Sequence, residues 1–447
     1  MKTLLLSLLS FVCLSHFGQY QVGHYQITFQ DPERANRDIQ TEIYYPATTA
    51  GESTPSATGQ FPVIVFGHGF VMAWSAYENH WLEFVERGYI MVFPRTEGNA
   101  FSTDHQQFGW DLEFLVTEMQ AEGNNSCSPI YNHVHANTAL IGHSMGGGAS
   151  FLAADSLCSN GNLNIKTLIG LAPAESSSNG VSSINSSLSI TVPSVILSGS
   201  QDGVTPPVDH HIPMYDNLAS DCKTFVSVTG GAHCYFANAN FNCDFGEGTS
   251  STGISITREE QHDVTFSFLN NWLDYTLKDD CNAFQLFQDS VSQSNRVTTN
   301  QTCVSNPISV ISESNGILTS SISGMSYQWY LNGNAISAAN GITHVVSTAG
   351  DYTVEVIFSS GCPTVSAPFT YNGSSVNISE NNKNFNVYPN PTNGLVTLSE
   401  FCTVEIYSIE GKRINLFTNI NSIDLGNYNS GVYLLKIENS FIKIIKE

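Results

Sequence analysis

The chain has 447 residues, 41% of them hydrophobic, which is long enough for a sizeable core and too long for one ordinary domain. Only 12% of residues are charged and the formal net charge is −23, so the chain lacks the basic face that a nucleic-acid or anionic-membrane partner requires. The acidity is dispersed, as on a solvated surface.

Met1-Lys-Thr-Leu-Leu-Leu-Ser-Leu-Leu-Ser-Phe-Val-Cys-Leu14 is one Lys followed by a short apolar run and then small or polar residues. It reads as a secretory signal peptide over residues 1–18, too short for a stable membrane anchor. No later stretch is apolar for long enough to predict a transmembrane helix. Export agrees with ten cysteines, which suit an oxidising compartment. Cys13 leaves with the signal and Cys402 stands alone in the tail. Cys234 with Cys243 is the preferred local pair. Cys127 with Cys158 and Cys222 with Cys281 follow as guesses, because spacing does not fix connectivity. No Cys-x-x-Cys or Cys/His cluster has the spacing of a metal site, so no metal is expected.

His24–Phe29 and Arg37–Tyr44 alternate apolar and polar residues around a Pro-containing turn and predict two antiparallel strands. After a Gly/Ser/Thr/Pro loop, apolar strands alternate with helix-length segments. The strands are Val63–Phe66, Tyr89–Phe93, Ala139–Ile141, Thr167–Leu171, Ser194–Leu197 and Lys223–Val228. Helices are expected near Trp74–Arg87, Asp104–Glu122, Gly147–Leu157, Pro213–Ala219 and Thr257–Leu277. That alternation predicts an α/β fold, a doubly wound and mostly parallel sheet covered on both faces, with its site at the carboxyl ends of the strands.

Three strand ends carry candidate chemistry. Ala139–Ile141 runs into Gly142-His-Ser-Met-Gly146, the Gly-x-Ser-x-Gly turn that lifts a serine hydroxyl above a sheet, which makes Ser144 the candidate nucleophile. Leu197-Ser-Gly-Ser-Gln-Asp202 ends in one central carboxylate, and Asp202 would orient an imidazole and stabilise its charged form; Glu175 is the runner-up. Val228-Thr-Gly-Gly-Ala-His233 places a histidine after the last core strand, where His233 can act as general base and then acid. His143 is expected to point into the fold, and His210 and His211 to sit on a surface turn. Phe66-Gly-His-Gly-Phe70 follows an earlier strand, so the Phe70 and Met145 N–H groups are the candidate oxyanion donors, leaving their side chains free to line a substrate pocket. His68 is expected to hold that loop.

Ser128-Pro-Ile-Tyr131, Gly142-His-Ser-Met-Gly-Gly-Gly148, Ile212-Pro-Met-Tyr215 and Gly230-Gly-Ala-His233 resemble the dienelactone hydrolase, platelet-activating-factor acetylhydrolase and cutinase-type polyesterase branch of the α/β-hydrolases, the poly(ethylene terephthalate) hydrolases most of all. The likeness covers about residues 22–280. It implies that Phe70, Met145 and a Trp after the next strand clamp an aromatic acid. Ala174 stands where that Trp would be, which weakens the aromatic-polyester reading, and Tyr235 and Phe236 could partly replace it.

Beyond residue 280 the chain turns Ser/Asn/Thr-rich. Residues 300–372 resemble an immunoglobulin-like β-sandwich, with Trp329 in the core, Tyr352 as corner tyrosine and Val354 where the second bridging cysteine usually stands, so Cys303 and Cys362 are expected to tie its ends together. Residues 385–447, from Phe385-Asn-Val-Tyr-Pro-Asn-Pro391 onward, resemble the C-terminal sorting domain of the type IX secretion system. That likeness implies a Gram-negative envelope, the secretion machinery as partner, and removal of the tail. The expectation is a secreted, monomeric serine carboxylic-ester hydrolase needing no cofactor, acting on short or medium acyl esters or polyesters. An aromatic polyesterase, an amidase and a non-catalytic binding scaffold displayed at the surface are the alternatives.

Overall fold

A computed structural model describes residues 20–176, 180–303, 307–358, 362–373, 385–438 and 440–447. The expected signal peptide lies outside them. The chain divides into two compact units: one runs to Ile308 and includes Ile322–Ser326 and Glu355–Val365; the other holds the remaining C-terminal segments.

The first unit is built on a ten-stranded sheet. In chain order its elements are β1 (Gln21–Asp31), β2 (Arg37–Ala47), β3 (Gly51–Glu52), β4 (Phe61–Gly67), α1 (Glu78–Glu86), β5 (Ile90–Pro94), α2 (His105–Gly123), β6 (Val134–His143), α3 (Met145–Ser159), β7 (Ile165–Leu171), α4 (Ser183–Ser186), β8 (Ser194–Gly199), α5 (His211–Asn217), β9 (Cys222–Val228), α6 (Phe241–Ser250), α7 (Arg258–Lys278), α8 (Cys281–Gln293) and β10 (Val297–Cys303). The sheet order is β10-β9-β8-β7-β6-β4-β5-β2-β1-β3. Neighbours from β5 through β9 pair in parallel, while β1–β2, β2–β5 and β9–β10 are antiparallel.

Alternation along each central strand feeds two separate cores, because successive side chains point to opposite faces. Val63 and Val65 pack with Leu140, Leu168 and Ile196 beneath α2 and α3. Ile64 and Phe66 pack with Ala139, Ile141, Ile169, Val195 and Leu197 beneath α1 and α7. Helix starts are set by side-chain caps: Asp104 accepts from Gln106 N and Gln107 N, and Thr257 with Glu260 forms a reciprocal capping box on α7.

The expected strands and helices are present, with some departures. α3 begins at Met145 rather than Gly147, because Ser144 itself is its N-cap residue. The short β3 and α4, and α6, α8 and β10, have no counterpart among the expected elements. Val297-Thr-Thr-Asn-Gln-Thr-Cys303 is polar because β10 is an edge strand, and pairing puts Cys303 opposite Cys222.

That register corrects the cysteine assignment. Cys222 bonds Cys303 and Cys281 bonds Cys362, while Cys234–Cys243 forms as expected. Cys127, Cys158 and Cys402 are free. The expected bonds lay within each module, but pairing of β9 with β10 sets Cys303 opposite Cys222, and Cys281, at the start of α8, bonds Cys362 instead.

In the second unit Trp329 is wholly buried and donates through Nε1 to the Gly341 carbonyl oxygen at 2.9 Å. Tyr352 is buried and its hydroxyl donates to the Thr348 carbonyl oxygen at 2.8 Å, the hydrogen bond expected of a corner tyrosine. Farther on, Leu395–Ser408 pairs antiparallel with Arg413–Asp424 and Gly431–Ile437 around a core of Val396, Val404, Ile406, Ile423, Leu435 and Ile437. No described helix is long and apolar enough to cross a membrane.

Candidate active site

Ser144 stands between β6 and α3 at φ 56° and ψ −122°. A non-glycine residue holds such a backbone only where its surroundings enforce it, at a cost of about 1–3 kcal/mol. Here they do. A Cβ on Gly142 would lie 2.1 Å from the Gly146 carbonyl oxygen, and one on Gly146 would lie 2.2 Å from the Gly67 carbonyl. The Ser144 N–H donates to Leu171 O at 3.0 Å and the Ser144 carbonyl accepts from Ala174 N at 2.8 Å, so β7 grips the turn from the other side.

The loop after β4 is drawn against the same turn. The His68 ring lies between two carbonyl acceptors, Gly69 O at 2.9 Å and Thr96 O at 2.8 Å, which fixes it as a loop anchor; burial lowers its pKa while the two carbonyls oppose that shift. Gly69 N donates to the Tyr77 hydroxyl at 2.7 Å, and that hydroxyl lies 2.9 Å from Nδ1 of His143. Phe70 presents an N–H with no acceptor among the described residues and a ring 49% exposed. Met145, first residue of α3, sits where helix N–H groups have no intrahelical partner, and its side chain is buried.

Asp202 and His233 meet directly. Asp202, buried after β8, accepts at Oδ1 from the N–H groups of Val204 (2.9 Å) and Thr205 (2.8 Å). Its Oδ2 accepts from His233 Nδ1 at 2.7 Å and from the Thr205 hydroxyl at 3.0 Å. Burial alone would raise the carboxyl pKa, but His233, His211 and the Thr205 amide outweigh it and hold the group below its ordinary value. The donated Nδ1 proton leaves Nε2 of neutral His233 as the lone-pair nitrogen.

The histidine loop is held by residues far along the chain. Gln261 on α7 brackets Ala232, accepting from its N–H and donating to its carbonyl, both at 2.8 Å. Cys234 is bonded to Cys243 on α6, and its N–H donates to Glu247. His143, the residue before Ser144, lies 3.0 Å through Nε2 from the His233 carbonyl, with the two rings 4.8 Å apart. His143 thus brings the serine and histidine tips together. Among the described residues the Ser144 hydroxyl makes no hydrogen bond, to His233 or to any other group.

The remaining candidates fall in different places. Ala174 is half-buried and packs its carbonyl against Gly148. The Tyr235 ring is half-buried beneath the Arg258 guanidinium at 4.5 Å. Phe236 is fully buried and packs in the core near His143. Glu175 is taken up elsewhere: its carboxylate accepts from Ile184 N at 2.8 Å and its N–H donates to His210. His211, expected on a surface turn, is fully buried, because α5 turns its first residue under β8. Thr205 was not among the candidates, although an Asp followed by Thr three residues on is a recognisable turn pattern. No sequence signal would have found His211 or Gln261.

A ten-stranded order with β4 crossed inside β5, an elbow serine at the tip of β6 and an Asp–His pair after β8 and β9 define an α/β-hydrolase. The family model described as PET hydrolase-like matches residues 19–256, more than half of the chain, and the chain belongs to that family. Residues 386–447 match a secretion system C-terminal sorting domain, which marks a secreted or outer-surface protein handled by the type IX machinery. Chlorophyllase-2 of Arabidopsis thaliana is 28% identical over 130 residues, or 29% of this chain. The chain spans about two fifths of the length of that curated relative.

Proposed function

We propose that the chain is a secreted serine carboxylic-ester hydrolase that works through an acyl-enzyme. Ser144 attacks the ester carbonyl, His233 takes the serine proton and returns it to the leaving alcohol, and Asp202 fixes the imidazole tautomer. The Phe70 and Met145 N–H groups receive the developing oxyanion. The observation that carries this reading is the buried 2.7 Å Asp202–His233 bond packed, through His143, against a strained serine turn. The contact between serine and imidazole tightens when substrate arrives, as is common for sites without ligand.

For substrate, short or medium acyl esters and aliphatic polyesters rank first. Ala174 offers no ring to sandwich an aromatic acid, and an aromatic side chain would bury about 150–250 Å² there. The exposed Phe70 ring and the family match favour an aromatic polyester as the second reading. In the first, Phe70 and Tyr235 line the acyl pocket.

Ser144→Ala is expected to lower kcat on a chromogenic butyrate ester by roughly 10⁶-fold and to abolish fluorophosphonate labelling. Wild-type protein that takes up no label would leave the non-catalytic scaffold as the better account, and a variant that keeps its rate would refute Ser144 as the nucleophile. Rates across an acyl chain-length series, then on aliphatic and aromatic polyester films, rank the substrates. Matched amides test the amidase alternative.

A further inference from the structure

Behind the Asp202–His233 pair runs a second buried chain of polar groups that the proposed mechanism does not use. Ser198 Oγ, on β8, lies 2.8 Å from Nδ1 of His211. Nε2 of His211 lies 3.0 Å from Thr205 Oγ1. That hydroxyl in turn lies 3.0 Å from Asp202 Oδ2, 2.9 Å from His233 Nδ1 and 3.3 Å from Ala172 O. All five side chains are at least nine-tenths buried.

Counting protons fixes the direction of this chain. Thr205 has one hydroxyl proton, while a carboxylate oxygen and a carbonyl oxygen beside it can only accept. If Nε2 of His211 were unprotonated, it would compete with Asp202 for that single proton. Ser198 would then be left to donate to Gly199 O at 3.5 Å, a poor bond. With the proton on Nε2, every group is served: Ser198 donates to Nδ1, Nε2–H donates to Thr205 Oγ1, and Thr205 donates to Asp202. Burial pushes the His211 pKa down to about 3, so the ring is neutral and this tautomer persists at working pH.

We infer that Thr205 and His211 are positioning residues for the Asp202–His233 pair: His211 fills the back of the Thr205 oxygen and so commits its proton to the carboxylate that orients the histidine. The inference rests on the triad reading above. Its consequence is electrostatic. A carboxylate that accepts this additional hydrogen bond is less basic, and removing the bond would strengthen its hold on an imidazolium, so the acid limb of the rate profile is expected to rise in variants that lack it. The other titratable groups facing the pair are His143 against the His233 ring and His210 beside His211. Both are held below the ordinary histidine value, first by burial, so the chain through Thr205 is the neighbour that acts on the carboxylate.

The test is the pH profile of kcat/KM on a soluble p-nitrophenyl butyrate for Thr205→Val, Thr205→Ser, His211→Leu and His211→Gln in the full chain, beside Ser144→Ala. Thr205→Val and His211→Leu are expected to move the acid limb up by about 0.5–1 pH unit and to lower kcat about tenfold at unchanged KM, the size of one hydrogen bond to a charged group. Thr205→Ser keeps the hydroxyl and His211→Gln keeps an N–H donor, and both should retain most of the rate and the parental limb. The double variant Thr205→Val, His211→Leu should be no slower than Thr205→Val, since both act on one oxygen. Folded variants with wild-type kcat and an unmoved limb would overturn the inference, whatever their melting temperatures. Should the variants fail to fold, nitrogen-15 spectra of the wild-type protein decide: a proton on Nδ1 of His211 would equally overturn it. Failure of the triad reading is separate, because it would show as an active, labelled Ser144→Ala protein.

Discussion

The serine turn and the histidine loop meet at one site but are held by different physics. The turn is fixed by exclusion. Gly67, Gly142 and Gly146 let three backbone segments approach so closely that no Cβ fits, and the strained Ser144 backbone has no room to relax. The loop carrying His233 is fixed by attachment: a cystine to α6, two hydrogen bonds from Gln261, and Arg258 donating to the Cys234 and Ala237 carbonyls. Rigidity by exclusion needs only glycines at the points where main chains meet, whereas rigidity by attachment needs specific side-chain partners brought in by the fold.

Perturbing each region separately tests that contrast. Gly146→Ala should have the largest effect, because its Cβ would strike main-chain atoms of β4 that cannot move aside; loss of more than about 4 kcal/mol, seen as failure to accumulate folded protein, is expected. Acid comes next and strikes the attached side. His80 lies 2.8 Å through Nε2 from the Phe236 carbonyl, just past the histidine loop, and burial lowers its pKa to about 3, as it does for His211. Unfolded imidazoles take up protons near pH 6.5 and these folded ones do not. Their contribution is therefore complete above about pH 6.5 and falls as pH drops toward 3, by roughly 1.4 kcal/mol per pH unit for each ring. Denaturant midpoints between pH 7 and 4 measure it, and a flat profile would refute it.

Gln261→Leu strands both main-chain groups of Ala232 and should cost about 2–4 kcal/mol in chemical denaturation, with kcat falling before KM changes. Cys243→Ser, the mildest, opens a nine-residue separation worth about 2–3 kcal/mol by chain entropy, and should loosen the loop while leaving the serine turn labelled by fluorophosphonate. If Cys243→Ser abolished labelling as fully as Gly146→Ala, the two regions would not be independently held.

The same contrast explains how much could be read without coordinates. Ser144 and its glycines were legible because their cause is local. Asp202 and His233 were legible as residues at successive strand tips, and the sheet as apolar runs at regular intervals. Thr205 and His211 were not, since a buried polar pair is indistinguishable in sequence from an exposed turn until α5 folds it under. Gln261 lies on α7, 28 residues beyond Ala232–His233, on a helix whose pattern announces only packing. β10 escaped because edge strands tolerate polar residues, and with it went the pairing of Cys222 and Cys303.

The cystine between Cys281 and Cys362 encloses β10 and the chain that follows it in a covalent ring. A protease that nicks the backbone anywhere between those two positions cuts a loop rather than a tether, and everything downstream stays attached until a reductant arrives. If the sorting tail is shed in an oxidising medium, the cut must therefore lie beyond residue 362, and gel mobility with and without thiol would reveal on which side of that knot a scissile bond lies.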